Sequence, residues 1–393
     1  MTGQAGSTGT GDGGSLGGMR LSQRLVTALK ALRGRWTIAV PVVIGLVLGF
    51  LVGGWFDPFH RDDHVSALVP PRPIDLGADG RYVALGDSYA AGEGLAPWQP
   101  GTQNTGQKGD RCHRSLNTSY PVDLRFARQP TRIEFRACSG AVAADVYDQV
   151  QLHDGRPDGQ GMQVEPGILG DDVRLITLTM GGNDVHFANV LNFCFSQDRC
   201  QEKSYQGAPT LQEWISAELN TLKGQLLTLY RKLHDDARNA RIVVVGYPAL
   251  FPERAPSIFS PHNEACHLLL NRWDASERDA IRGWGLQLNG IIQEDAHEAQ
   301  VDYVDVFPYF AGHEPCGQNG SWIRFVGLSV QSSVRDGSFH PTAEGQNQIA
   351  RIVACYLTVY PTYNNGLSGT QAERFEMTGC VADGTPVSPL ASP

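Results

Sequence analysis

Five short apolar runs, each closed by turn residues, constrain the fold of this chain more than any other feature. They are YVALG (82–86), RIEFRACS (132–139), RLITLTMGG (174–182), RIVVVGYP (241–248) and VDYVDV (301–306). Long amphipathic stretches lie between them. In 211–236, Ile215, Leu219, Leu222, Leu226, Leu229 and Leu233 recur at helical spacing, and a second such stretch covers 266–298. The stretch PTAEGQNQIARIVACYL after His340 reads as a closing helix, with Pro341 at an early helical position. Short apolar strands alternating with helices predict an α/β fold around a parallel sheet. Ligands of such folds bind at the carboxyl ends of the strands, so chemistry is to be sought there.

Four polar motifs stand at those places. Gly86-Asp87-Ser88-Tyr89-Ala90-Ala91-Gly92-Glu93-Gly94 follows the first strand and presents a serine at the sheet edge, with Gly92 and Gly94 keeping the adjoining loop clear. A Gly-Asp-Ser triplet by itself is also a common turn. Ala137-Cys138-Ser139-Gly140-Ala141 ends the second strand, where a glycine lets a backbone N–H approach a substrate oxygen. Gly181-Gly182-Asn183-Asp184 ends the third and offers the Asn183 amide as a donor, although Asn or Asp there also suits a helix cap. Asp336-Gly337-Ser338-Phe339-His340-Pro341-Thr342 precedes the last helix. Of eleven histidines, His340 is singled out by that place; His186 and His234 read as solvated or core residues.

The order of these motifs is more specific than any one of them. In it the chain resembles the SGNH, or GDSL, hydrolases, whose name is drawn from Ser, Gly, Asn and His. Over YVALGDSYAAGEG, ACSGA, LTMGGND and FHPTAEGQ it is similar to their secreted bacterial esterase and lipase branch. The resemblance covers most of 81–357. It implies a flavodoxin-like three-layer sandwich with a five-stranded parallel sheet in the order 2-1-3-4-5. It also implies an extracellular serine hydrolase of carboxylic esters that needs no cofactor. Ser88 is then the nucleophile and His340 its general base; the Ser88 N–H, the Gly140 N–H and the Asn183 side chain form the oxyanion hole. The chemistry suits those roles. A serine hydroxyl needs an adjacent base, histidine can take that proton and return it to the leaving alcohol, and the tetrahedral oxyanion needs preorganised donors.

One departure matters. Many family members carry an acid three residues before the histidine, where Gly337 stands here; Asp336 is four before. Either a backbone carbonyl near Gly337 orients the imidazole, giving a Ser–His dyad, or Asp336 completes a triad. The dyad is expected. Asp87 and Asp184 are read as holding their own loops by hydrogen bonds. The substrate is an ester of a lipid, an acylated small molecule or a glycan, its acyl pocket set by loops near 95–116, 151–170, 250–265 and 307–335. Those loops carry Trp98, Phe251, Phe259, Tyr309 and Trp322. Two alternatives stay open: acyl transfer to or from cell-surface glycans or lipids, and an inactive membrane-tethered binding module. The intact Ser, Gly, Asn and His set argues against the second.

The rest of the chain gives location. Residues 37–56, TIAVPVVIGLVLGFLVGGWF, hold no charge. Such a run spans about 30 Å as a helix, the bilayer core thickness. Arg20, Arg24, Lys30, Arg33 and Arg35 precede it, and Asp57, Asp62 and Asp63 follow. That asymmetry puts the N-terminus in the cytoplasm and the rest outside. A cleaved signal peptide is the alternative, but the apolar core is long and no A-x-A site follows it. The expected layout is a cytoplasmic tail (1–36), a transmembrane signal anchor (37–56), a proline-containing tether (57–80), the hydrolase domain (81–357) and a C-terminal tail (358–393). Eight cysteines with no C-x-x-C pair predict disulfides in an oxidising compartment. Pairing of sequence neighbours gives Cys112–Cys138, Cys194–Cys200, Cys266–Cys316 and Cys355–Cys380. The net charge of −9 and the lack of a basic, aromatic-interleaved run predict no nucleic-acid partner. No phosphate-binding loop is present, and HRDDH (His60 to His64) reads as a solvated juxtamembrane segment, so no metal site is expected.

Overall fold

The computed structural model describes residues 72–103, 111–153, 156–157, 161–253, 273–315, 317, 319–324 and 337–362, all within the second of two compact units, Ser66–Pro393. The expected cytoplasmic tail and membrane anchor, HRDDH, Phe259, Asp336, the Cys266–Cys316 pair, Cys380 and most of the C-terminal tail lie outside the described residues. Among the described residues no helix is long and apolar enough to cross a membrane.

Five strands form one sheet: β1 (Arg81–Gly86), β2 (Ile133–Phe135), β3 (Val173–Thr179), β4 (Arg241–Val245) and β5 (Asp302–Val304). Every pairing is parallel and the order is β2-β1-β3-β4-β5. Strand β1 lies between its neighbours, Val83 facing Glu134 on one side and Ile176 on the other. All six of its residues are buried, which is why it reads as a continuous apolar run rather than an alternating one. Direction reverses between β2 and β3, and right-handed crossovers then send the connections to opposite faces of the sheet. That reversal opens a crevice at the carboxyl ends of β1 and β3. The second apolar run shortens to three paired residues, Ile133–Phe135.

Helices follow the amphipathic stretches, with three differences. The stretch 211–236 is two helices, α2 (Leu211–Leu222) and α3 (Gln225–Asp236), after a single-turn α1 (Ser88–Ala91). The break is at Gly224, whose φ of 87° ordinary residues rarely adopt. The Asp295 carboxylate accepts the Gly224 and Leu227 N–H groups at 2.9 and 3.1 Å, satisfying the new helix start. The next long helix, α4 (Ala275–Glu298), begins at a capping box of Asp274 and Glu277. The closing helix, α5 (Ala343–Val359), is capped by Thr342, whose hydroxyl accepts the Gly345 N–H at 3.1 Å; Pro341 therefore precedes the cap instead of standing within the first turn. Within the expected tether, residues 72–80 are mostly exposed but pair with the domain at Ile74, whose N–H donates to Arg125 O and whose O accepts Ala127 N–H, each at 2.8 Å.

Disulfides join Cys112 to Cys138 and Cys194 to Cys200. Cys355 is also disulfide-bonded, its partner lying outside the described residues.

Candidate active site

Ser88 opens α1 directly beyond β1, and the turn that places it needs a glycine. Gly86 has φ 130°, and a Cβ there would come within 2.6 Å of Thr179 O. The Gln163 side chain holds this residue from both sides, accepting Gly86 N–H at 2.9 Å and donating to Gly86 O at 2.8 Å. Asp87 caps α1 by accepting the Tyr89 N–H at 2.9 Å. Ser88 is thereby fixed at the first helical position.

His340 reaches it from the far end of the domain. Its Nε2 stands 2.7 Å from Ser88 Oγ, and its Nδ1 stands 2.9 Å from Ser338 O. A carbonyl only accepts, so Nδ1 carries the proton and Nε2 is the acceptor for the serine hydroxyl. The turn that brings Ser338 O under the ring is strained: Phe339 between them has φ 60°. Such a backbone costs roughly 1–3 kcal/mol and persists only where its surroundings hold it. They do so here. Phe339 N–H donates to Arg324 O at 2.8 Å, and Tyr89 OH donates to Phe339 O at 2.7 Å. The buried Phe339 ring packs on Phe251 and Trp273. Gln346 on α5 then ties this helix to the serine side, accepting Tyr120 N–H at 2.7 Å and donating to Tyr89 O at 2.9 Å.

The two glycine- and asparagine-bearing loops are stitched to the serine turn. Cys138 N–H donates to Gly86 O at 2.9 Å, and the Cys112 disulfide holds Cys138 in place. Gly140, with φ 81°, follows in the left-handed region. Asn183 Nδ2 donates to Ala141 O at 2.9 Å, which aims its amide and leaves its second N–H for another acceptor. Asp184 accepts Ala143 N–H at 2.9 Å. Burial pushes the Asp184 carboxyl up to about 6 against that bond. Asp87 thus braces its own loop, as the sequence suggests, whereas Asp184 reaches across to the loop that follows Gly140. His186 and His234 are exposed.

Two features escape sequence reasoning. Tyr247, just past β4, donates its hydroxyl to Asp87 Oδ2 at 2.5 Å and accepts Gly182 N–H at 2.8 Å. One phenol so links the residue before Ser88 to the residue before Asn183. Burial drives the Asp87 carboxyl up to about 7, with the Tyr247 and Tyr89 bonds opposing it. The second is Glu93. Burial opposes its charge, but the His113 hydrogen bond at 2.7 Å and the nearby His113 and His340 rings prevail, holding it below the usual carboxylate range. Its place in the serine motif was the available signal.

Beside Ser88 and His340 opens an apolar cleft. Its walls are Phe187 and Leu191 from the helix Phe187–Ser196, Leu250 after β4, Ile281 and Leu288 from α4, and Phe307. The loop aromatics Trp98, Phe251, Tyr309 and Trp322, which could either line an acyl groove or cover the sheet, are not among the cleft residues; Phe251, for one, packs behind the histidine turn. Helices, more than loops, shape this cleft. Among the described residues no group of His, Cys, Asp and Glu is arranged to hold a metal ion.

Comparison with known proteins shows the family. The profile of the GDSL-like Lipase/Acylhydrolase family matches residues 84–348. A lipase of Streptomyces rimosus is 30% identical over 269 residues, 68% of this chain and 82% of the relative. Lipase 1 of Streptomyces coelicolor is 29% identical over 69% of this chain and 83% of its own length. Among solved structures, phospholipase A1 from Streptomyces albidoflavus NA297 is 29% identical with a TM-score of 0.51, covering 72% of this chain and 100% of that one. With the family profile spanning both the serine turn and the histidine helix, the chain belongs to the GDSL-like lipase/acylhydrolase family, the SGNH hydrolases, in their secreted bacterial lipase branch.

Proposed function

We propose that this carboxylic-ester hydrolase works through an acyl-enzyme on Ser88, with His340 as general base and then general acid. The observation that carries this reading is the 2.7 Å contact between His340 Nε2 and Ser88 Oγ at the mouth of an apolar cleft. Nε2 takes the hydroxyl proton as Oγ attacks the ester carbonyl. The oxyanion is met by the N–H groups of Ser88 and Gly140 and by the free N–H of Asn183. Collapse of the tetrahedral intermediate expels the alcohol, which leaves with the proton from His340. A water molecule, deprotonated by the same nitrogen, then attacks the acyl carbon, releasing the acid and restoring Ser88. The imidazole is oriented by Ser338 O, as a dyad requires. The apolar cleft favours the acyl part of a lipid ester as its occupant.

The test is hydrolysis of p-nitrophenyl esters of increasing acyl length by the full-length protein. Ser88→Ala abolishes turnover, and Asn183→Ala lowers kcat by about 10²–10³-fold. Asp336→Ala costs far less than the roughly 10⁴-fold of a true triad acid. Turnover equal in wild type and Ser88→Ala sinks the mechanism; a 10⁴-fold loss at Asp336 replaces the dyad with a triad.

We further propose that the domain acts outside the cell, tethered by residues 37–56. The disulfides support an oxidising location. The uncharged run between a basic and an acidic flank supports the anchor.

A further inference from the structure

Gly337 stands three residues before His340, where many SGNH hydrolases carry an acid. The backbone there has room only for glycine. Its φ is 85°, and a Cβ would come within 2.9 Å of Gly94 Cα. What excludes a side chain from the histidine turn is thus the serine loop, and the residue before Gly94 is itself an acid, Glu93.

Glu93 is 5% exposed. One carboxylate oxygen accepts the Gly94 N–H at 2.9 Å. The other stands 2.7 Å from His113 Nδ1, which donates to it. Trp98 stacks on the His113 ring with 4.9 Å between centroids, fixing that donor. The Glu93 N–H donates to Ser88 O at 3.0 Å. Arg324 then joins this loop to the histidine turn: Nη1 donates to Gly94 O at 2.6 Å and the backbone N–H to His340 O at 2.7 Å. A buried carboxylate is so held between the serine and histidine sides of the site.

His340 Nδ1 bonds to Ser338 O, a neutral carbonyl that orients the ring but brings no net charge. The ring becomes a cation while it holds the Ser88 proton, and a partly buried cation gains from a nearby anion. Burial opposes the charge on Glu93, yet the His113 bond and the His113 and His340 rings hold its carboxyl below the usual range. Such coupling is reciprocal, so a carboxylate favoured by the His340 cation favours that cation in turn. The other charged or titratable groups around the pair are Arg114, which donates to Ala137 O at 3.2 Å, Arg324, and Asp87 and Tyr89 of the serine turn.

We propose that Glu93 is a positioning residue that acts through His340: its buried carboxylate, fixed by His113, supplies the negative charge that stabilises the imidazolium, in place of the acid that Gly337 excludes. This role rests on the Ser–His dyad reading above.

The experiment measures kcat and kcat/KM for p-nitrophenyl butyrate against pH in full-length wild type, Glu93→Gln, Glu93→Asp, His113→Gln and the double variant Glu93→Gln/His113→Gln, with Ser88→Ala as background. The His340 ring is titrated in parallel by NMR, its signal assigned with His340→Gln. Arg114, Arg324, Asp87 and Tyr89 are common to the proteins compared, so the differences report the Glu93 charge. Glu93→Gln keeps the shape and an acceptor for the Gly94 N–H but removes the charge. Its acid limb and its His340 titration should move about 0.5–1 unit to lower pH, and its plateau kcat should fall about 3–10-fold, the same energy in rate. KM should stay within a few-fold. Glu93→Asp should restore the limb. The shift should persist between His113→Gln and the double variant, as a charge acting on His340 requires. A lower kcat with the limb and the His340 titration unmoved overturns the proposal and leaves Glu93 a structural brace. A shift that vanishes in the His113→Gln background overturns it too, because the carboxylate then serves His113. Should no ester be turned over above the Ser88→Ala background, the ester-hydrolase reading falls, and the NMR titration alone decides whether Glu93 stabilises the His340 cation.

Discussion

Two side chains beyond the serine and histidine decide how well they meet. Phe339 holds the strained backbone that turns Ser338 O toward His340 Nδ1. Tyr247 joins the Asp87 end of the serine loop to the Gly182 end of the asparagine loop through one hydroxyl. Removing that hydroxyl leaves a buried carboxylate oxygen and a backbone N–H without their bond, on either side of the reacting centre. Tyr247→Phe keeps the ring, which stands edge-on to Tyr89 at 5.1 Å, so packing is retained. The Gly182 N–H loses its acceptor, and the turn that carries Asn183 is held less firmly against the serine turn. Kcat is expected to fall about 10–10²-fold, approaching the loss of one oxyanion donor, while KM stays within a few-fold. A rise in KM at constant kcat would assign Tyr247 to substrate binding instead of positioning. Sequence reasoning had no access to this residue. The Ser, Gly, Asn and His positions were legible because each ends a strand or begins a helix, where pattern and motif coincide. Tyr247 meets Asp87 across 160 positions of chain, a pairing that only the folded sheet creates.

At the scale of elements, α4 supplies one wall of the cleft. Ile281, Arg282, Gly285 and Leu288 face the cleft at helical spacing. Periodicity predicts that such a stripe is apolar. It does not say whether the stripe meets another helix or an open cleft, which is why the acyl pocket was sought in loops. The same blindness joined 211–236 into one helix: the apolar spacing runs on through Gly224, and the break is set by Asp295 from α4. Gly285 is the informative position. A Cβ there would meet only the Phe307 ring, at 3.7 Å, an ordinary contact. Gly285→Ala should therefore fold and stabilise the helix by up to about 1 kcal/mol. Gly285→Leu carries its side chain into the cleft. Its kcat/KM for dodecanoyl esters should drop at least about tenfold relative to butyryl esters, an energy of about 1.4 kcal/mol that steric exclusion readily reaches. An unchanged chain-length profile in Gly285→Leu would mean that acyl chains run elsewhere.

Across the whole molecule, the site is assembled by buried polar groups that reach between distant segments, and their ionisation couples function to stability. Gln163 clamps the serine turn, Gln346 ties the histidine helix to it, and Asp87 and Asp184 brace the loops between. The two glutamines carry no charge. The two aspartates do, and burial raises them to about 7 and about 6. In the unfolded chain both ionise near the ordinary aspartate value of about 3.9. Between these values the folded protein holds more protons than the unfolded one, so stability must fall as pH rises. The benefit is complete below the unfolded value and is lost as pH climbs through the folded ones. Glu93 opposes the slope only around the ordinary glutamate value of about 4.3, because its shift is downward; above about pH 5.3 it is ionised in both states. Each unit of upward shift retained is worth about 1.4 kcal/mol, or roughly 2–4 °C in Tm for a domain of this size. The melting temperature of the full-length protein is thus expected to decline from about pH 5.3 to about pH 6, where unfolded carboxylates are ionised and unfolded histidines are still mostly protonated. Asp87→Asn should flatten that decline, because it removes the group with the larger shift while keeping an acceptor for the Tyr89 N–H. A melting temperature that rises over this interval in wild type, or an identical decline in Asp87→Asn, would show that the buried carboxylate beside Ser88 is ionised throughout and held by partners stronger than Tyr247 and Tyr89.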